Sequence, residues 1–95
     1  MIKTYMKTGA TTTASIYISE TGEKLIVVPT NMNQKNKPVF YLRRGNPAQY
    51  VSGLFKTKNP TIFSGDIKDI YTGTKQLFIV RFQDKGDNLV IEGMA

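Results

Sequence analysis

The chain has 95 residues, 40% of them hydrophobic and 21% charged, which is enough apolar material for one small folded domain and leaves no room for a second, catalytic one. Thirteen Lys and Arg residues outweigh seven Asp and Glu residues, so the formal net charge of +6 favours an anionic partner. Cys and His are absent, which excludes disulfides, Cys or His metal sites and every catalytic arrangement that needs either residue. We therefore expect a non-catalytic binding protein without metal or cofactor.

The chain carries no sign of a signal peptide or a membrane span. Residues 1–7 lack the apolar stretch of a signal peptide, and the longest aliphatic run, residues 25–28, is far too short to cross a bilayer. We expect a single domain over residues 1–95, located in the cytoplasm and without a membrane partner. Because so small a domain buries little surface, a homodimer is also expected.

Residues 11–29 predict two β-strands. In residues 11–19, Ile16 and Ile18 alternate with polar residues and with Tyr17, so the isoleucine face points away from the tyrosine. Gly22 indicates a short turn. Residues 24–29 follow as a β-branched strand that is apolar on both faces and therefore central.

After a polar loop over residues 31–37, residues 38–44 predict a third strand. Tyr41 and Arg43 share one of its faces, and Leu42 and Arg44 share the other. Residues 46–53 carry an N-cap Asn, a Pro at the first helical position and a Gly just past the end, which indicate a short helix near residues 47–52. A loop is the alternative there.

The second half of the chain predicts further short strands. Residues 54–57 and 61–64 are extended stretches on either side of an Asn-Pro turn, and residues 67–71 form a strand or a single turn. Residues 76–83 and 89–92 form the clearest hairpin. Five to seven short strands predict an all-β fold, either a small OB-like barrel or a strongly curved antiparallel sheet. Most of the five phenylalanines are expected in its core.

Positive charge is concentrated in the middle of the chain. Residues 24–65 contain seven Lys or Arg residues and no acidic residue, as an anion-binding surface would require. Aromatic residues accompany these cations, and single-stranded nucleic acid is bound by stacking of bases on aromatic rings and by pairing of phosphates with Lys and Arg. The candidate nucleic-acid-binding residues are the stacking tyrosines Tyr17, Tyr41 and Tyr50 and the phosphate-binding residues Lys35, Lys37, Arg43, Arg44, Lys56 and Lys58. The alternative is a charge excess that only keeps the protein soluble.

Carboxylates occur in two Asp-x-x-Asp pairs, Asp66 with Asp69 and Asp84 with Asp87. Paired carboxylates can hold a hard cation or act as acid and base. Each pair, however, lies beside a glycine in a predicted turn, where Asp is common because it forms local hydrogen bonds. We therefore assign both pairs to turn chemistry.

Residues 47–55, Pro-Ala-Gln-Tyr-Val-Ser-Gly-Leu-Phe, resemble a segment of the small single-stranded DNA-binding proteins of filamentous phages. That family has a five-stranded OB-type barrel and a two-fold dimer that coats the DNA strand, and similar barrels serve other phages and conjugative elements. The resemblance implies a DNA-binding protein of a phage or mobile element, and it carries over Tyr50 alone. The loop at residues 33–37 and residues 56–71 have no counterpart in the family.

Single-stranded nucleic-acid binding with little sequence preference is thus the first function expected, with the choice between DNA and RNA open. The second is a small phage or plasmid accessory protein that inhibits a host protein, such as a defence or replication factor. A third is a subunit of a virion or secretion assembly. A His-free ribonuclease or toxin would need Arg43, Arg44 and Asp66 to converge.

Overall fold

The fold is a closed barrel of eight antiparallel strands, seen in a computed structural model that describes residues 2–32, 34, 36–68 and 71–93. Each strand pairs with the next along the chain, and the last strand closes the barrel on the first. The strands are β1 (Ile2–Ala10), β2 (Ser15–Ser19), β3 (Lys24–Pro29), β4 (Phe40–Arg44), β5 (Gln49–Lys56), β6 (Ile62–Lys68), β7 (Lys75–Gln83) and β8 (Asn88–Glu92), with a short 3-10 turn at Asp84–Gly86. Among the described residues, no helix is long and apolar enough to cross a membrane.

The prediction of a small all-β barrel is confirmed, with one more strand than the upper limit of five to seven. The extra strand is β1. Its sequence does not show the usual apolar alternation, since the apolar residues Ile2 and Met6 lie outside the barrel while Lys3 and Tyr5 lie inside. The sequential pairing is that of an up-and-down barrel, whereas an OB fold is a five-stranded Greek-key barrel.

The short helix near residues 47–52 is not formed. Residues 45–48 make a turn, and Tyr50 pairs with Arg43 as part of strand β5. Tyr50 and Val51 favour a strand by their aromatic and β-branched side chains. Gly53 lies inside that strand instead of ending a helix. The close approach of Pro38 accounts for the glycine, because a Cβ at this position would meet the Pro38 Cβ at 2.8 Å.

The barrel interior is filled by aromatic and aliphatic side chains. Phe40, Phe63 and Phe82 form an aromatic cluster with ring centroids 5.1 to 5.6 Å apart, mostly edge to face. The buried core consists of Tyr5, Tyr17, Leu25, Val27, Leu42, Leu54, Phe63, Phe78, Val80, Leu89 and Ile91. This packing confirms that most phenylalanines belong to the core, and Phe55 is the exception.

The inner and outer faces of strand β2 are the reverse of the prediction, which placed Tyr17 on the outer face. Tyr17 lies inside the barrel with 3% of its surface exposed, and its hydroxyl donates a hydrogen bond of 2.7 Å to the Gly86 carbonyl oxygen. Ile16 and Ile18 lie outside and are half-buried. Burial, followed by the negative charge of Asp87, raises the pKa of the Tyr17 hydroxyl above its ordinary value.

Candidate nucleic-acid interface

The outer face of strands β4 and β5 brings Tyr41, Arg43 and Tyr50 together, and the alternation of β4 had predicted the shared face of the first two. Arg43 is paired with Tyr50 across the two strands, and the rings of Tyr41 and Tyr50 lie edge to face with centroids 6.0 Å apart. Tyr50 is 64% exposed, so one face of its ring is open to solvent. The Arg43 guanidinium donates a hydrogen bond of 2.9 Å to the Ala48 carbonyl oxygen, which fixes it beside the two rings.

A groove of about 630 Å³ runs between strands β5 and β6. Backbone pairing between these two strands covers only two residue pairs, Phe55 with Ser64 and Lys56 with Phe63. Beyond those pairs the strands separate, and the Ser52 hydroxyl bridges the gap by accepting a hydrogen bond of 3.2 Å from the Asp66 backbone N–H. The surface is therefore concave here.

Aromatic and basic side chains line this groove. Tyr50 and Phe55 contribute the rings, and Arg44, Lys68 and Lys75 contribute the cations. Lys68 and Lys75 are directly opposite each other in the β6–β7 hairpin, and like charges in that position destabilise a sheet. Asp66 offsets part of this repulsion, because its Oδ2 lies 3.7 Å from Lys75 Nζ.

A second recess, of about 420 Å³, continues from the first. Lys37, Lys56 and Phe55 contribute to its walls, and Phe55 also borders the groove between β5 and β6. From Tyr50 to Lys56 strand β5 covers roughly 20 Å at about 3.3 Å per residue. We use the name basic-aromatic track for the two recesses, which share Phe55, together with the adjoining outer face of β4. It consists of Lys37, Tyr41, Arg43, Tyr50, Phe55, Lys56, Lys68 and Lys75.

Two predicted site residues lie on the inner side of their strands. Tyr17 cannot stack on a base, because its ring is enclosed in the core. Arg44 points to the inner side of β4, away from Arg43, and its Nε lies 3.9 Å from the Glu23 carboxylate at the mouth of the barrel. It borders the groove from that inner position.

Of the remaining predicted residues, Lys58 is exposed in the turn between β5 and β6. Hydrogen bonds from the Thr57 hydroxyl to the carbonyl oxygens of Asn59 and Ile62, at 3.1 and 2.7 Å, organise this turn. Lys58 thus extends the track beyond its Lys56 end. Lys35 lies outside the described residues.

Three residues of the track were absent from the sequence prediction. Phe55 was assigned to the core with the other phenylalanines, although its strand alternation opposite Leu54 could have placed it outside. Lys68 and Lys75 come together only through the register of β6 and β7, which the intervening turn does not reveal.

The mouth of the barrel carries a charged cluster around Glu23. Its carboxylate accepts hydrogen bonds from Lys3 Nζ at 2.5 Å and from the Tyr5 hydroxyl at 2.8 Å. Burial acts to raise the pKa of Glu23, but these two hydrogen bonds and the charges of Lys3 and Arg44 outweigh it and lower the pKa below 4.5. Burial and the same carboxylate raise the pKa of Tyr5. The cluster closes one end of the core.

The two aspartate pairs have different surroundings. Asp84 and Asp87 do form a turn: the Asp87 N–H donates to the Asp84 carbonyl oxygen at 3.2 Å, and Asn88 Nδ2 donates to the Asp84 carboxylate at 2.5 Å. Asp66 lies in strand β6 instead of a turn, and Asp69 is outside the described residues. Within the described part of the chain, no three Asp or Glu residues converge as a metal site would require.

Comparison with known proteins finds no matching family model, no matching curated protein and no matching solved structure.

Proposed function

We propose that this protein binds single-stranded nucleic acid along the basic-aromatic track and performs no chemistry on it. The observation that carries the proposal is the continuity of the track. Aromatic rings of Tyr50 and Phe55 follow one strand, and cations stand at both ends of that strand: Lys37 and Lys56 at one, Lys68 and Lys75 at the other.

The bases and the phosphates of a single strand each find matching side chains on this track. Unpaired bases have exposed π-faces that stack on aromatic rings, at about 1–3 kcal/mol per base. Phosphates follow the same chain on its outer side, where Lys and Arg neutralise them. A duplex keeps its bases stacked inside, so exposed aromatic rings that border a groove favour the single strand.

The resemblance of residues 47–55 to phage DNA-binding proteins adds support, because Tyr50, the position it carries over, is the most exposed ring of the track. On this proposal the protein serves a phage or mobile element in the host cytoplasm, where single-stranded intermediates occur. DNA and RNA share the groups that the track would contact, so a direct comparison of the two belongs in the first experiment.

Fluorescence anisotropy of labelled oligothymidine at low and moderate salt tests the proposal, with oligouridine and a duplex of equal length as competitors. We expect micromolar or tighter binding that prefers the single strand and weakens with salt. Tyr41→Ala is expected to lower the affinity with little change in the salt slope, and Arg43→Ala is expected to flatten the slope. Absence of binding at low salt, or wild-type behaviour of both variants, contradicts the proposal.

A further inference from the structure

The groove between β5 and β6 contains one acidic side chain among its cations and rings. Asp66 borders it together with Tyr50 and Phe55, and 38% of the Asp66 side chain is exposed. Its Oδ2 lies 3.7 Å from Lys75 Nζ. A carboxylate repels phosphate, so phosphate binding does not account for an acid in the middle of this surface.

The position of Asp66 is fixed by its neighbours. Its backbone N–H donates to the Ser52 hydroxyl at 3.2 Å, and that buried hydroxyl in turn donates to the Gly53 carbonyl oxygen at 2.7 Å. Lys75 restrains the carboxylate from the other side. The Asp66 backbone is thus held by Ser52 and its carboxylate is oriented by Lys75, and a carboxylate positioned in this way can discriminate between ligands by hydrogen bonding.

The groove also has room for a base next to the carboxylate. Pro38 fills the space beside Gly53, where a Cβ would lie 2.8 Å from the Pro38 Cβ, and the two residues form one wall of the groove. The groove volume of about 630 Å³ falls within the range of about 300–1,000 Å³ typical of small-molecule sites. Tyr50 and Phe55 border the same space and offer stacking faces.

We infer that this groove prefers guanine among the bases of a bound strand, and that Asp66 is the specificity-determining residue. This inference rests on the proposed function. Guanine presents two adjacent donors, N1–H and the N2 amino group, which the two oxygens of a carboxylate can accept together, as they do from an arginine. Cytosine and adenine each offer one amino group. Thymine places two carbonyl oxygens beside its single N–H, and these would face the carboxylate unfavourably.

Anisotropy with oligothymidines that carry one central substituted nucleotide tests the inference. Wild-type protein is expected to bind the strand with a central deoxyguanosine about tenfold more tightly than all-thymidine, a typical discrimination for one base contact. Deoxyinosine, which lacks the N2 amino group, should recover only part of that gain. In Asp66→Asn the guanine-to-thymine affinity ratio should fall to about one, because an amide presents only one acceptor oxygen.

Glu20→Gln is the matched control, since it removes one exposed negative charge from the β2–β3 turn without touching the groove. It should keep the wild-type guanine-to-thymine ratio. Two outcomes overturn the inference and leave the proposed function standing. One is equal affinity of the wild-type protein for all four central bases, and the other is a guanine preference that persists in Asp66→Asn. Failure of wild-type protein to bind any oligonucleotide overturns the proposed function, and with it the base preference.

Discussion

Tyr17 illustrates how the position of one side chain in the barrel decides what its hydroxyl can do. The ring is enclosed in the core, and the hydroxyl reaches the Gly86 carbonyl oxygen in the turn between β7 and β8. Without this donor, the Gly86 carbonyl oxygen would lack a hydrogen bond, and the folded state would be less stable. The tyrosine therefore ties two distant parts of the chain together and has no surface for a ligand.

Tyr17→Phe is expected to lower the free energy of unfolding by roughly 1 kcal/mol, because it removes the hydroxyl and keeps the packed ring. Urea denaturation followed by circular dichroism measures this loss. Oligonucleotide affinity should stay at the wild-type value, in contrast to Tyr41→Ala. A drop in affinity without a loss of stability would show that Tyr17 reaches the ligand.

Gly65 is required by close packing between β6 and the interior. A Cβ at this position would lie 2.5 Å from Phe78 Cζ and 2.9 Å from the Ser52 hydroxyl oxygen. The Phe78 ring is buried, and Ser52 is the residue that bridges β5 and β6, so neither can move away at low cost.

Gly65→Ala is therefore expected to lower the free energy of unfolding by roughly 1–3 kcal/mol, as overpacking of a core does. Gly9→Ala is the matched control, because a Cβ at Gly9 meets nothing within 4 Å. Denaturation curves of the two variants should separate clearly. Equal stability of both would mean that the β5–β6 region repacks without strain.

At the scale of the strands, Glu23 links the β2–β3 turn to β1 and to β4 through Lys3, Tyr5 and Arg44. Its pKa is lower in the folded protein than in the unfolded chain. Ionised Glu23 therefore stabilises the fold above about pH 4.5, and this contribution is lost as the pH falls through the folded-state pKa.

Glu23→Gln is expected to lower the free energy of unfolding by roughly 1–2 kcal/mol near neutral pH, because it weakens hydrogen bonds to a charged acceptor. The difference from wild type should shrink as the pH falls below about 4.5. Urea denaturation over a pH series measures both effects. Glu20→Gln, an exposed neighbour in the same turn, should follow the wild-type pH profile, and a pH-independent difference for Glu23→Gln would contradict the ionic explanation.

Strand patterns predicted which residues share a face but not which face is inside. The alternation in β2 groups Ile16 with Ile18, opposite Tyr17, and the structure keeps that grouping. The inner side of an eight-stranded barrel accepts a large ring whose hydroxyl finds a partner, while half-buried isoleucines are tolerated outside. Hydrophobicity alone therefore gave the wrong orientation.

The site was predictable only within strand β4, because the start of β5 was predicted as a helix. Tyr41, Arg43 and Tyr50 come from β4 and β5, and the alternation of β4 placed the first two on one face. Lys68 and Lys75 depend on the β6–β7 register, and the groove depends on the separation of β5 from β6. Neither feature can be read from strand alternation, because the first depends on the turn that sets the β6–β7 register and the second on where β5 and β6 separate.

At the scale of the whole molecule, charge is separated around the barrel. Cations of the track lie on strands β4 to β7 and in the loop before β4, and β5 is the strand farthest from β1 in the closed order of eight. Of the acidic residues that the structure describes, Asp66 alone borders the track, while Glu20, Glu23, Asp84, Asp87 and Glu92 lie elsewhere and offset Lys3, Lys7, Lys24, Arg81 and Lys85. An approaching polyanion would therefore be oriented toward β5 before contact.

This separation predicts that the location of a cation, and not only the net charge, determines the salt dependence of binding. Each phosphate neutralised on a single strand contributes about 0.7 to the slope of log affinity against log salt concentration. The double variant Lys68→Gln/Lys75→Gln should thus lower the slope by about 1.4. Lys7→Gln/Lys85→Gln removes the same net charge from β1 and the β7–β8 turn and should keep a slope close to wild type. If both variants lower the slope equally, the nucleic acid responds to the overall positive charge, and the basic-aromatic track is not its binding surface.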